Sequence, residues 1–419
     1  MTKNSEQQSI DLESARTADS APEGSEGSEG NVNQSRFATV LQVLPAMEAG
    51  GGGVERGTVE IAQAITESGG RALVASNGGR LTHELKRVGA EHIQLPLASK
   101  NPFVMYGNIS RLARTIQAHD VDIVHVRSRA PAWSAYFAAR QTGAHFVTTF
   151  HGTYGIANAL KRRYNAIMTK GERVIAISGF IAGHIRQHYG VPSSRIRIIH
   201  RGVDLDRFSP KKVTAERVIK LANQWRLTEG LPIVMLPGRL TRWKGQAVFI
   251  EAVAALKRRD IRCLIVGSDQ GRTEYRRELE ALIEKHDLGE IMRLVDYCDD
   301  MPAAYMLSDA VVSASTDPEA FGRVVAEAQA LGRLVVGPDH GGARELIIEG
   351  ETGWLTPPGD TAALAQAMDR ALNYDTPARN RAAARAIVNI RTHFSKQTMC
   401  TKTLDVYNEV LQLGSKPGA

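Results

Sequence analysis

Two glutamates in the segment Pro318–Glu327 are spaced as a pair of sugar ligands would be. Glu319 lies just before the start of a predicted helix, and Glu327 lies more than one turn inside that helix. Eight helical residues span roughly 12 Å at about 1.5 Å each, which is near the distance from a hexose across a diphosphate to a ribose. Carboxylates accept hydrogen bonds from adjacent hydroxyls, so one glutamate for each sugar is chemically sensible. The alternative is a helix-dipole role for Glu319 and an exposed Glu327.

Two cations lie on another loop, Pro237–Gly245. A predicted buried strand ends before this loop, and Arg239 and Lys244 follow it ahead of the next helix. Two cations beside a helix N-terminus suit a diphosphate, and a pair of solvated surface charges is the alternative.

A run of glycines occupies residues 50–53, between a predicted strand and a predicted helix. Such a loop, which includes Gly52 and Gly53, lets a backbone approach a ligand closely, or is only a structural turn. A dinucleotide site would require an acidic residue about 20 residues further on, at the end of the second strand. That strand ends at Ser76-Asn77, which disfavours hydride chemistry.

Polar side chains also end two other strands in the first half of the chain. His151 follows a strand and precedes Gly152, where it is well placed to meet a polar ligand, although a lone histidine is as easily structural. Arg127 and Arg129 follow another strand and suit an anionic acceptor, with a structural role as the alternative.

Short apolar runs alternate with amphipathic stretches from Phe37 onward, which predicts parallel sheets with helices on both faces. We expect two doubly wound α/β units, at residues 36–209 and 231–390, joined by a polar linker at 210–230. Residues 391–419 are predicted to form a helix that packs back towards the first unit. Ligands of such sheets bind beyond the carboxyl ends of the strands, so the cleft between the two units is the predicted site.

Charge is distributed unevenly along the chain. Residues 1–35 contain seven acidic and two basic side chains and few large apolar ones, which predicts a disordered acidic tail. The formal charge of the whole chain is +7, so the remainder carries +12 and suits an anionic partner such as a phosphorylated substrate or an anionic lipid. Nucleic acid is disfavoured as a partner, because no stretch interleaves basic and aromatic residues.

The cysteine pattern and the absence of a long apolar run favour a cytoplasmic protein. Cys263, Cys298 and Cys400 lie too far apart for a metal-binding or disulfide pattern. No apolar run is long enough for a membrane span or a signal segment. The motif Asp120-Val121-Asp122 is similar to the DxD that holds a divalent ion in another fold, but it precedes its strand, so it is predicted to lie away from the cleft.

The combination of the E-x7-E pair with Gly-Arg-x4-Lys-Gly about 75 residues upstream resembles the retaining glycosyltransferases of family 4, over residues 37–412. This resemblance implies the GT-B fold, in which two Rossmann-like doubly wound parallel-sheet domains face each other across a cleft. The first domain would bind the acceptor and the second the nucleotide sugar. Glu327 is thereby assigned to the nucleotide ribose, Glu319 to the transferred sugar, and Arg239 and Lys244 to the diphosphate.

The same resemblance extends to other positions. The residues implied to contact the donor are Phe321, Gly322, Val324 and Gly342, while Gly52, Gly53 and His151 are implied to line the cleft. Arg323 departs from the pattern, because the family commonly has an apolar residue there. No cofactor and no metal ion is expected, since two cations and a helix N-terminus are available for the diphosphate.

Two sequence runs narrow the resemblance further. The runs at residues 52–58 and 128–134 resemble bacterial lipopolysaccharide-core transferases, particularly mannosyltransferases. This implies GDP-mannose as the donor and an envelope glycan as the acceptor. The alternatives are a UDP-sugar donor for another envelope glycan or glycolipid, a nucleotide-sugar 2-epimerase, and a non-catalytic scaffold that binds nucleotide sugar. A phosphorylase would need a pyridoxal lysine, for which no matching segment is present.

A predicted helix at residues 160–168 combines an apolar face with basic side chains. These basic residues are Lys161, Arg162, Arg163 and Lys170. In the resembled family such helices touch the membrane, which implies a peripheral position on the inner face of the cytoplasmic membrane. A core helix with a solvated basic side is the alternative.

Overall fold

The apolar runs form two parallel sheets in the computed structural model, which describes residues 38–48, 53–155, 158–227 and 230–413. The predicted acidic tail at 1–35 and Gly52 lie outside these residues. All strand pairs within the two sheets are parallel. Parallel strands need crossover connections, and helices supply them here.

The first sheet has the strand order β3-β2-β1-β4-β5-β6-β7. Its strands are β1 (Thr39–Val43), β2 (Arg71–Ser76), β3 (Glu91–Gln94), β4 (Ile123–Val126), β5 (His145–Phe150), β6 (Arg173–Ala176) and β7 (Ile196–Ile198). The central strands β1, β4 and β5 are buried along their whole length, as expected for a sheet covered on both faces. The strand order reverses between β1 and β4, which places a topological switch point there.

The helices of the first domain are α1 (Gly53–Glu67), α2 (Thr82–Arg87), α3 (Pro102–Ala118), α4 (Arg129–Thr142), α5 (Ala159–Asn165) and α6 (Gly179–Tyr189). Helix α5 is shorter than the predicted helix at 160–168, because the chain tightens into a 3₁₀ turn from Ala166 to Thr169. Asn158 caps its start by accepting a hydrogen bond from the Lys161 backbone N–H at 2.7 Å.

The second sheet has the strand order β10-β9-β8-β11-β12-β13. Its strands are β8 (Ile233–Pro237), β9 (Arg262–Val266), β10 (Met292–Val295), β11 (Ala310–Val312), β12 (Leu334–Pro338) and β13 (Gly353–Thr356). Its helices, with α7 before β8, are α7 (Ala215–Gln224), α8 (Gln246–Leu256), α9 (Thr273–Lys285), α10 (Met301–Leu307), α11 (Arg323–Ala330), α12 (Ala343–Leu346), α13 (Thr361–Leu372) and α14 (Thr376–His393). The sequence patterns did not predict β3 or β13, which are edge strands of only four residues each.

Helix α7 (Ala215–Gln224) lies within the segment 210–230, where the sequence predicts only a polar linker. Residues 228–229 of that segment lie outside the described residues. Arg217 on this helix donates from Nε and Nη2 to the carboxylate of Asp300, at 2.8 and 2.5 Å. Arg293 donates to the carbonyl oxygen of Trp225 at 2.8 Å. The residues from Ala215 to Trp225 are therefore a structured part of the second domain, because Arg217 and the Trp225 carbonyl bond to residues of that domain.

The last helix, α15 (Lys396–Gln412), returns to the first domain. Val203 and Ser395 form a parallel bridge just before it begins. Tyr407 then donates to or accepts from His125 Nδ1 at 2.6 Å, inside the first domain. No helix in the described ranges has the length and apolar composition needed to cross a bilayer.

Glu409 is predicted to fix α15 in a pH-dependent manner. Hydrogen bonds from Arg197 and Arg173 lower the pKa of its carboxyl to about 2. This stabilisation is complete above the ordinary carboxyl pKa and is lost as pH falls towards 2. We expect Glu409→Gln to lower the free energy of unfolding by roughly 1 kcal/mol at neutral pH. Urea titrations at decreasing pH should show the difference from the wild type shrinking, whereas Glu290→Gln, at an exposed site, should show no such trend.

Candidate active site

The predicted site residues follow the carboxyl ends of the strands in both sheets. Arg127 follows β4 and His151 follows β5, while Lys244 lies beyond β8 and Glu319 beyond β11. The two domains meet on this side, where Glu345 of α12 reaches the N-terminus of α6. The structure therefore brings the separate sequence motifs to one region, which is the expected ligand position for doubly wound sheets.

Lys244 and Glu319 form a nearly buried ion pair. Lys244 Nζ lies 2.7 Å from Glu319 Oε1, and the two side chains are 13% and 14% exposed. The same oxygen accepts a hydrogen bond from Ser315 Oγ at 2.6 Å. Removing either partner would leave a poorly solvated charge, so the pair holds both side chains in fixed positions. One cation and one carboxylate are thus presented together to a ligand.

Glycines allow the loops of this pair to pack closely. A Cβ on Gly245 would lie 1.9 Å from the carbonyl oxygen of Ala314. At this point the loop of Lys244 packs against the loop of Glu319. A Cβ on Gly342 would lie 2.3 Å from the carbonyl oxygen of Phe321. Neither contact is possible for a residue with a side chain. Gly342 therefore supports the segment 319–321 by direct backbone contact.

Glu327 is held by two side chains in the second domain. Arg323 donates to Oε1 at 2.6 Å, and Tyr305 donates to Oε2 at 3.1 Å. Tyr305 is buried, whereas the Arg323 side chain is 57% exposed. A ligand hydroxyl that reaches Glu327 would therefore compete with Arg323 and leave Tyr305 in place.

The remaining donor-side residues surround the start of α11. Gly322 is the N-cap with φ of 97°, a conformation that favours glycine. The first N–H groups of the helix, including that of Val324, have no partner within the helix and can bind an anion. Arg239 is exposed, and its guanidinium has no partner among the described residues. It is free to turn towards a ligand.

On the first domain, His151 is held in its neutral form. Burial lowers its pKa well below the usual range, and the charges of Arg127 and Arg201 lower it further. Arg201 Nη1 lies 3.2 Å from His151 Nδ1. Since arginine can only donate, Nδ1 accepts, and the ring proton is assigned to Nε2.

The structure separates the two predicted acceptor arginines. Arg127 lies beside Arg201, whereas Arg129 donates to Asn165 Oδ1 at 3.1 Å and stacks over the Tyr154 ring at 4.3 Å. Gly53 begins α1 against Arg201, and its neighbour Gly52 lies outside the described residues. The sequence analysis missed Arg201 as a site residue, although its position directly after the end of a strand was an available signal.

Glu345 joins the two domains, a role that the sequence analysis did not predict. Its carboxylate accepts hydrogen bonds from the backbone N–H groups of Gly179 and Phe180, at 2.7 and 2.9 Å. His200 Nε2 lies 2.7 Å from the same carboxylate. Burial tends to raise the pKa of Glu345, but these hydrogen bonds outweigh it and lower the pKa. The carboxylate therefore caps a helix of the other domain instead of its own.

One aspartate of the motif Asp120-Val121-Asp122 has a structural partner. Asp122 accepts a hydrogen bond from the Thr39 backbone N–H at 2.8 Å, at the start of the first sheet. Among the described residues, no three histidine, cysteine or acidic side chains cluster as metal ligands.

Comparisons with known proteins agree over both domains. Residues 51–207 match Glycosyltransferase Family 4, and residues 219–388 match Glycosyl transferases group 1. The crystal structure of a glycosyltransferase from Rickettsia africae ESF-5 is 39% identical, with a TM-score of 0.84 over 90% of this chain and 99% of that one. A putative colanic acid biosynthesis glycosyltransferase, WcaL of Escherichia coli K12, is 29% identical over 75% of this chain and 74% of its own length. A D-inositol 3-phosphate glycosyltransferase of Xylanimonas cellulosilytica is 30% identical, over 68% and 71%.

The surroundings of His151 predict that its imidazole does not titrate in the physiological range. Because burial and two neighbouring cations disfavour the imidazolium, its Cε1–H resonance should stay constant from about pH 8 to about pH 5. The resonance is assigned by its absence from His151→Gln. A titration midpoint near 6.5 would contradict the neutral assignment.

Proposed function

The chain belongs to the glycosyl transferases group 1, with a first domain of glycosyltransferase family 4, and we propose that this transferase moves a hexose from a nucleotide diphosphate sugar to a cell-envelope glycan. The observation that carries the proposal is the Lys244–Glu319 pair, at 2.7 Å, beside the start of α11. It offers a cation for a leaving diphosphate and a carboxylate for sugar hydroxyls at the same point.

The donor binds along the second domain in this proposal. Glu327 accepts hydrogen bonds from the ribose hydroxyls and releases Arg323. Arg239, Lys244 and the N–H groups at the start of α11 hold the diphosphate. The ion pair between Glu327 and Arg323 supports this assignment, because Arg323 is exposed and a ligand can replace it.

The transfer itself is proposed to retain the anomeric configuration. The acceptor oxygen attacks the anomeric carbon on the face from which the diphosphate departs, so one C–O bond forms as the other breaks. The acceptor proton passes to a diphosphate oxygen, whose negative charge Arg239 and Lys244 stabilise. Glu319 orients the hexose, and neutral His151 donates a hydrogen bond from Nε2. No cofactor or metal ion is needed for these steps.

We propose mannose from GDP-mannose as the transferred sugar, on the basis of the runs at 52–58 and 128–134. A UDP-sugar is the alternative donor, for another envelope polysaccharide or glycolipid. The relative named for colanic acid biosynthesis supports an envelope glycan as the acceptor. We place the enzyme in the cytoplasm, in keeping with three buried free cysteines.

Glu327→Gln is predicted to weaken donor binding. Loss of the charged acceptor should reduce affinity by about tenfold to hundredfold, the usual effect of a hydrogen bond to a charged group. The measurement is the rise in melting temperature that each donor causes in the presence of EDTA. The proteins are the wild type, Glu327→Gln and the exposed-site control Glu284→Gln, and the donors are GDP-mannose, UDP-glucose, UDP-N-acetylglucosamine and UDP-galactose.

One donor should stabilise the wild type and the control but act much more weakly on Glu327→Gln. A stabilising UDP-sugar would replace the mannose proposal. Donor binding without hydrolysis or transfer would favour the scaffold, and release of an epimerised sugar without acceptor would favour the epimerase. No response to any donor would overturn the donor site.

The acceptor side offers a surface suited to a lipid-linked glycan. Phe103, Tyr106 and Leu160 are 87%, 77% and 79% exposed on α3 and α5. Tyr106 also lines a groove of about 530 Å³ between α3 and α4, whose walls are almost entirely apolar. The exposed basic residues Lys161, Arg162 and Arg163 lie beside Leu160. We propose that this surface rests on anionic lipid, because exposed aromatic rings with adjacent cations suit the membrane interface.

Binding to anionic vesicles should depend on both parts of this surface. The wild type is expected to sediment with phosphatidylglycerol-containing vesicles at low salt and to be released by salt. A Phe103→Ser, Leu160→Ser double variant and a variant with Lys161, Arg162 and Arg163 changed to Gln should each bind less. Equal sedimentation of all three proteins would contradict the proposed surface, and Arg186→Gln controls for loss of charge elsewhere on the first domain.

A further inference from the structure

Two arginines of the first domain lie side by side without an acidic partner. Arg127 follows β4 and Arg201 follows β7, and they are only 5% and 9% exposed. The Nη2 atoms of the two side chains lie 3.1 and 3.2 Å from the position that a Cβ would take on Gly57. The guanidinium groups are therefore neighbours. No carboxylate of the described residues lies within 4.0 Å of either one.

This arrangement is unfavourable without a ligand. Burial, together with the charge of Arg127, lowers the pKa of Arg201 to about 9. Burial also lowers the pKa of Arg127. Glu60 and Glu55 are nearby acids whose charges act on both arginines. Neither forms an ion pair with them within 4.0 Å, and burial raises the pKa of Glu60. Two buried like charges without a counter-ion oppose folding, so they indicate a binding role better than a structural one.

Unused hydrogen-bond donors converge on the same place. Arg127 Nε and His151 Nε2 are buried without partners among the described residues. Both residues line one cavity together with Arg201, and its volume of about 20 Å³ has room for about one water molecule. The N-terminus of α1 is also close, because a Cβ on Gly53 would lie 2.4 Å from Arg201 Nη2. This region thus combines two cations, a neutral N–H donor and the positive end of a 15-residue helix.

We propose that Arg127 and Arg201, beside the start of α1, bind a phosphate group carried by the acceptor. A phosphate monoester has nearly two negative charges and three strong acceptor oxygens, which match two guanidinium groups and the positive end of a helix. The donor diphosphate has its own cations, Arg239 and Lys244, on the other sheet. The identification of the ligand as the acceptor rests on the proposed glycosyl transfer.

The position of the pair fits an acceptor better than a donor. Arg201 lies close enough to Arg323 of the second domain for the charge of Arg323 to lower the pKa of Arg201 further. An acceptor anchored here by phosphate would lie on the first domain and present a hydroxyl towards the donor sugar beside Glu319. The site thus selects phosphorylated glycans over neutral ones.

The test uses the full chain saturated with the nucleoside diphosphate that stabilises it, or without nucleotide if none does. Inorganic phosphate and glucose 6-phosphate are titrated by calorimetry, with glucose as the uncharged comparison. Arg127→Gln and Arg201→Gln are compared with Arg186→Gln, which removes an exposed charge from α6. Phosphate and glucose 6-phosphate should bind the wild type and the control, and at least about tenfold more weakly to the two site variants.

A second measurement guards against misfolded variants. The Nε–H resonance of Arg127 in the wild type should shift when phosphate is added, and the unliganded site variants should melt no lower than the wild type because repulsion is relieved. An absent phosphate response in the wild type would overturn the inference, even if a nucleotide sugar still stabilises the chain. Loss of nucleoside diphosphate affinity in the site variants would instead assign the pair to the donor. Failure of every donor to bind would count against the proposed function alone.

Discussion

Parallel strands end at the same edge of their sheet, and the candidate site depends on that constraint. It brings the loop of Lys244, after β8, against the loop of Glu319, after β11, although 75 residues separate them in the chain. The two strands pair directly in the sheet. Glycine at position 245 then removes the last steric barrier between the loops. The ion pair is thus a product of strand order and of one residue without a side chain.

The two halves of the site differ in whether their buried charged side chains have a partner of opposite charge. On the second domain each carboxylate has a partner, since Glu319 pairs with Lys244 and Glu327 pairs with Arg323. On the first domain, no carboxylate of the described residues lies within 4.0 Å of Arg127 or Arg201. The second domain is therefore electrostatically complete before a ligand arrives, and the first is completed by one. This asymmetry accords with a donor that exchanges partners and an acceptor that supplies a missing charge.

The sequence was sufficient for most of the fold and for part of the site. Buried strands such as β8 and β11 are continuous apolar runs, so the local sequence is enough to predict them, whereas the edge strand Glu91–Gln94 is mostly polar. The positions of Glu319 and Lys244 followed from strand ends. The partners of Glu327 and Glu345 did not, because Tyr305 and the α6 N-terminus reach them through tertiary packing rather than through spacing. The polar residues of 210–230 predicted a linker, but Arg217 lies on a helix and is paired with Asp300.

The return of α15 to the first sheet imposes an order on synthesis. Strands β1 to β7 emerge from the ribosome early, yet Tyr407, which contacts His125, is made only after the whole second domain. At about 5–20 residues per second, the intervening stretch of roughly 200 residues takes on the order of ten to forty seconds. During that time the apolar face of α1 lacks its covering helix, while the contiguous second domain can already close its own core. The half of the molecule that is translated first is therefore the last to be completed, and it is the half most exposed to chaperones and proteases.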